Sequence, residues 1–218
     1  MRSRAACSFA RLLAALCLTP ALAGAQSAAL RPRVQLSGGG GLLTSGAYFT
    51  GPADLALDNN DAFAGVLQVI VPVHRSLSLV AGGAYAQPRW RLSGVPLLGS
   101  VGVDGASLWF ADAGVRGHVP LGREGGRGTI AFAQLGVGLA HYSVSTALLG
   151  RPVRGSATNF ALDLGAGLGV PLTPRLGLEV MAKDYIVAFR SVHDLEPLGI
   201  EGRRAHTLVL ALSARIGL

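Results

Sequence analysis

The chain has 218 residues, half of them hydrophobic and 14% charged, with a formal net charge of +7. Its two cysteines, Cys7 and Cys17, both fall within the first 25 residues, so the remainder excludes a disulfide, a thiolate metal site and a cysteine nucleophile. No run of 18 apolar residues occurs, which excludes a membrane-spanning helix.

The first 25 residues read as a secretory signal peptide. Arg2, Arg4 and Arg11 form a basic segment, Leu12 to Leu18 a short apolar one, and Pro20 breaks the helix. Ala23-Gly24-Ala25 then supplies small residues for cleavage between Ala25 and Gln26. Residues 26–218 are the expected mature chain, of a size for one all-β domain. Three of the 19 basic residues leave with the signal, so 16 remain against 12 acidic ones. No cluster of basic and aromatic residues is present, and a nucleic-acid partner is not expected.

Eight candidate strands of about ten residues follow in order. They are Arg33–Leu43, Ala62–Val71, Leu77–Gln87, Ser107–Val119, Thr129–Tyr142, Phe160–Val170, Leu176–Ala188 and His206–Leu218. Three of them run into a Val-Pro pair, at Val71-Pro72, Val119-Pro120 and Val170-Pro171, spaced 48 and 51 residues apart. Proline has no N–H for a ladder, so each pair is expected to stop its strand. The chain therefore reads as a hairpin repeated roughly every 50 residues. Short connections (Pro72–Ser76, Pro120–Gly128, Pro171–Arg175) alternate with long polar ones (Thr44–Asp61, Pro88–Ala106, Ser143–Asn159, Phe189–Ala205). That alternation predicts an all-β, eight-stranded antiparallel up-and-down transmembrane β-barrel, with the short turns on the periplasmic side.

The strands alternate with period 2. In the sixth, Phe160, Leu162, Leu164, Ala166, Leu168 and Val170 share one face, and Asp163 and three glycines lie on the other. In a soluble barrel the large apolar face would point inward, leaving Gly, Ala and Ser to meet water. The inverted arrangement fits better: the apolar face meets lipid, and small and charged residues pack a narrow lumen. Eleven of the twelve aromatics beyond the signal (Tyr48, Phe49, Phe63, Tyr85, Trp90, Trp109, Phe110, Tyr142, Phe160, Tyr185, Phe189) lie at the long-connection end. This predicts an interfacial belt there.

Parity assigns Asp112, Arg116, Gln134, Asp163, Glu179, Lys183 and Arg215 to the lumen. Three are acidic and three basic, and an unpaired buried charge is costly, so an interior ion-pair network is expected. Such a network either fills the barrel or acts as a gate to a narrow pore for small solutes. Asp184 falls on the lipid face by strict parity and must lie at the headgroup rim or beside a bulge. His74, His193 and Glu196 have no metal-ligand spacing, and no metal or cofactor is expected.

His141 and Ser143 form an H-x-S element on the lipid face of the fifth strand. Here the chain resembles the lipid A deacylases, eight-stranded barrels with a lipid-facing His and Ser. The resemblance implies a lipid-modifying barrel enzyme with these two as catalytic residues. The chain departs from that family in carrying Val144 where an Asn follows the Ser, and in having no Glu in the sixth strand. Without an orienting carboxylate the His is not held as a general base, so the two residues are expected to be boundary polar groups.

The repeat, the signal and the closing strand resemble the OmpA/OmpX/OmpW-like outer-membrane β-barrel superfamily. His206–Leu218 carries the most specific likeness, with Leu212, Ala214, Ile216 and Leu218 on one face. It ends on leucine where that family ends on an aromatic. The resemblance implies a non-enzymatic protein of the outer membrane of a Gram-negative-type bacterium, structural or surface-interacting, with a narrow or occluded lumen. The implied partners are outer-membrane lipid and lipopolysaccharide, and the barrel-assembly machinery through the closing strand. No surface ligand is implied.

Overall fold

The computed structural model describes residues 34–45, 49–50, 56–59, 61–95, 99–103, 105–121, 128–148, 151–188, 201–202 and 204–218. The signal segment and its Ala25/Gln26 junction lie outside these. Thirteen strands are described: β1 (Gln35–Ser45), β2 (Phe49–Thr50), β3 (Ala56–Asn59), β4 (Ala62–His74), β5 (Leu77–Ala86), β6 (Trp90–Val95), β7 (Gly99–Val103), β8 (Ala106–Pro120), β9 (Ile130–Leu148), β10 (Arg151–Pro171), β11 (Leu176–Ala188), β12 (Glu201–Gly202) and β13 (Arg204–Gly217). Eight close into a barrel in the order β1-β13-β11-β10-β9-β8-β5-β4, every neighbour antiparallel. These match the eight strands expected from periodicity. Closure gives every barrel strand a partner on both sides and removes exposed edges.

The long connections are not plain loops. Segments from three of them pair into a second sheet in the order β12-β2-β3-β6-β7. The expected connection Ser143–Asn159 is mostly strand: β9 and β10 stay paired up to Arg151↔Leu148. Beyond β8 and β11 this hairpin pairs only with itself among the described residues, and its described inward positions, Gly155, Ala157 and Asn159, are small or polar. Its composition therefore resembled a loop.

Two of the prolines end their strands as expected, β8 at Pro120 and β10 at Pro171, whereas β4 runs past Pro72 to His74. Pro72 pairs with Ser78, Pro120 with Ile130 and Pro171 with Gly177. On the opposite side each has run past its neighbour, whose pairing ends at Ile70, Gly117 and Gly169 respectively. A proline there forfeits no ladder bond, which is why all three are tolerated. After Pro72 the register shifts by a bulge before His74.

The faces fall as the inverted pattern requires. Phe63 (72% accessible), Leu67, Val137, Leu139, Phe160, Leu168, Val180, Leu210 and Leu212 (57%) point outward. The lumen differs from expectation in its upper part, near the long-connection rim. Leu43, Leu108, Phe110, Tyr142, Tyr185, Val187 and Val209 are buried there with small residues. Three of the aromatics expected in the outer belt, Phe110, Tyr142 and Tyr185, are thus inside. Phe63, Tyr85, Trp109 and Phe160 are outside. Trp109 and Phe110 are adjacent, so parity sends them to opposite faces whatever their shared chemistry. Tyr48 and Phe189 lie outside the described residues, as do the side chains of Phe49 and Trp90.

Candidate functional site

Below the apolar plug, the lumen holds the seven residues assigned by parity, in two layers. Lys183 on β11 is 1% accessible. Its Nζ lies 2.6 Å from Asp112 Oδ1 on β8 and 3.1 Å from Asp163 Oδ1 on β10. Tyr185 Oη donates to Asp112 Oδ2 at 3.0 Å. The Lys183 ammonium stands 4.8 Å from the Tyr185 ring centroid, and Phe110 stacks on that ring at 4.0 Å. The upper layer thus joins a cation, two carboxylates and the bottom of the apolar plug.

The lower layer centres on Glu179 of β11, four residues before Lys183. Arg116 Nη1 donates to both Glu179 carboxylate oxygens at 3.3 Å. Arg215 Nη1 lies 3.1 Å from Glu179 Oε1, and Ser37 Oγ donates to Oε2 at 3.2 Å. Arg116 also donates from Nε and Nη2 to Gln134 Oε1 (3.2 and 2.9 Å), and from Nη2 to Gln68 Oε1 (2.6 Å). Its guanidinium lies 4.1 Å over the Phe132 ring. Gln68, Ser37 and Phe132 carry no charge to draw attention in the sequence, and Tyr185 was expected in the outer belt instead.

The two layers are complementary because β8 and β11 run in opposite directions. Going toward the tight rim, β8 presents Asp112 then Arg116, and β11 presents Lys183 then Glu179. Sign therefore opposes sign in both layers, and the six formal charges cancel. Buried charges so paired and hydrogen-bonded offset their desolvation.

The lumen is narrow enough for these contacts because β9 is small where the aspartates cross it. Gly136 pairs with Asp163 and Gly138 with Asp112. A Cβ on Gly136 would collide with Asp163 Oδ2, so the carboxylate occupies the space that a side chain would need.

His141 and Ser143 lie on the outward face, as parity assigned them, but they are not brought together. His141 Nδ1 shares a 2.7 Å hydrogen bond with Thr158 Oγ1, and its ring stacks on Trp109 at 5.2 Å. Ser143 Oγ shares a 2.8 Å hydrogen bond with Ser107 Oγ. Asp184, also outward, sits in regular register between Leu164 and Leu208, with no bulge. It pairs instead with His206 Nδ1 at 2.7 Å. Period 2 had put both on the outer face; only the β11–β13 register made them diagonal neighbours.

No protein-family model matches the chain, and no curated protein matches it. Solved structures do. Neisserial surface protein A is 12% identical, with 85% of this chain and 97% of that chain covered and a TM-score of 0.52. The outer membrane protein AlkL in lipid bilayers is 13% identical, with 90% and 95% covered and a TM-score of 0.52. The chain has the fold of the eight-stranded outer-membrane β-barrels to which these structures belong.

Proposed function

We propose that the protein is an integral outer-membrane β-barrel without enzymatic activity, structural or surface-interacting, whose lumen is closed by its own side chains. The observation that carries this reading is the inversion of the barrel: buried ion pairs inside, large aliphatic side chains outside. A soluble barrel of this kind would expose its apolar face to water while paying to bury charge. In a bilayer the same arrangement is favourable, since the outward face meets hydrocarbon. An eight-stranded barrel leaves an interior just wide enough for side chains, and here two ionic layers and an aromatic plug occupy it. Surface interaction falls to the second sheet and the projecting β9–β10 hairpin. Outer-membrane lipid and lipopolysaccharide are the partners of the wall, and the barrel-assembly machinery that of β13.

Lipid-modifying activity through His141 and Ser143 is disfavoured, because each is engaged with a different residue and neither meets a carboxylate among the described hydrogen bonds. Fractionation of expressing cells, followed by electrophoresis with and without heating, tests the proposal. The expected outcome is an outer-membrane species whose unheated form migrates differently from the heated one. A soluble periplasmic chain would refute it.

A further inference from the structure

The outward faces of β10, β11 and β13 change character at one level. Below Asp184 they carry only aliphatic side chains down to the tight rim; at and above it stand Asp184, His206 and Arg204. Leu162, Ile186 and His206 share one rung across the three strands, and Arg204 stands opposite Ala188 on the next outward rung. A cavity of about 630 Å³ lies against this stretch, and its lining runs from Phe160, Leu162 and Ile186 to Arg204 toward the long-connection rim. Arg204 is exposed and makes no hydrogen bond or ion pair among the described residues. His206 is held through Nδ1 by Asp184 Oδ2 at 2.7 Å, yet its side chain is 61% accessible. As an imidazolium the ring donates to Asp184 from Nδ1 and to an outside acceptor from Nε2. Same-face neighbours on a strand stand about 7 Å apart, within reach of an arginine side chain, so both cations can meet one anion.

We propose that Arg204 and His206 bind one phosphate of the glucosamine backbone of lipopolysaccharide, with an acyl chain of the same molecule along Phe160, Leu162 and Ile186. The inference rests on the membrane reading above, which puts the long-connection rim at the outer leaflet. A cavity facing hydrocarbon forfeits dispersion contacts unless a chain fills it. Charge complementarity names the headgroup. The guanidinium fork offers two parallel donors to a phosphate, and the imidazolium a third. A phosphomonoester presents three terminal oxygens and about two negative charges at neutral pH, whereas a phospholipid diester presents two such oxygens and one charge. Asp184 is the one carboxylate on these outward faces among the described side chains. It is engaged with His206 and balances it, which leaves the Arg204 charge to the phosphate.

The test uses the full chain in nanodiscs of equal phosphatidylglycerol and bisphosphorylated lipid A, with retained lipid identified by native mass spectrometry. Lipid A should be retained about tenfold above its bulk share, a preference worth about 1.4 kcal/mol. Lipid A stripped of its phosphates should show no such enrichment. Arg204→Ala and His206→Gln should each return the retained lipid to bulk composition while keeping heat-modifiable migration, since Arg204 has no described partner to lose and a glutamine still donates to Asp184. Enrichment of phosphatidylglycerol, of the stripped lipid, or of lipid A equally by the parent and either variant would overturn the proposal. So would a folded barrel that retains no lipid. A chain that does not enter nanodiscs at all would instead overturn the membrane reading beneath it.

Discussion

Lys183 and Asp112 meet at 2.6 Å inside the lumen although 71 residues separate them in the chain. Two strands, β9 and β10, stand between their own strands in the barrel wall. The contact is therefore made through the interior and depends on closure with one register. Asp163 joins the same ammonium, so Lys183 is the point where three strands are tied.

Replacing Lys183 with Met should leave two carboxylates buried and opposed. The expected loss is about 3–5 kcal/mol, the usual cost of breaking a buried pair. Urea titration of the refolded barrel in micelles would measure it. Adding Asp112→Asn and Asp163→Asn to the variant should recover most of that loss. A Lys183→Met barrel as stable as the parent would mean that these charges are hydrated.

The two arginines of the lower layer should differ. Arg116 makes five hydrogen bonds and is nearly inaccessible, whereas Arg215 makes one to Glu179 and its side chain is 18% accessible. Arg116→Ala leaves Glu179, Gln134 and Gln68 short of donors and should cost about 3–5 kcal/mol. Arg215→Ala should cost about 1 kcal/mol, because water and Arg116 still serve Glu179. Equal losses in parallel urea titrations would contradict this ordering.

Gly136→Ala should destabilise the barrel by about 1–3 kcal/mol through overpacking. Its methyl would displace Asp163 and also press on the Ala113 carbonyl. Gly65→Ala has the same chemistry on the outward face, where nothing lies within 4 Å, and should be close to neutral. A stability comparison of the pair isolates lumen crowding from glycine's backbone entropy.

Planar-bilayer recording should find the parent protein silent, and the Asp163→Ala and Arg215→Ala barrels silent as well. The aromatic plug of Phe110, Tyr142 and Tyr185 stays in place above the altered charges. Discrete openings in either variant would favour the ion-pair gate.

His141→Ala and Ser143→Ala should leave the lipid A mass spectrum of expressing cells identical to that of cells with the parent protein. A lost acyl chain that depends on both residues would overturn the non-enzymatic reading. Loss of the Thr158 partner alone should cost little, because the 2.7 Å bond it makes with His141 is exposed.

The eight strands, their faces and the charged lumen were legible in the sequence because period 2 is a local property. Alternation at Asp112, Asp163, Lys183 and Arg215 assigns each to the inside with no knowledge of its neighbours. Other features depended on register and closure. Parity could not tell that Lys183 serves two aspartates, that Tyr185 and Phe110 form a plug, or that Asp184 reaches His206. Each of these requires knowing which rungs of different strands share a level. The Val-Pro pairs show the boundary between the two. The sequence marks where three strands near the tight rim. Only the pairing of β1, β5 and β9 shows why proline is tolerated there: in each case the neighbour on that side has already ended, and no ladder bond is left to lose.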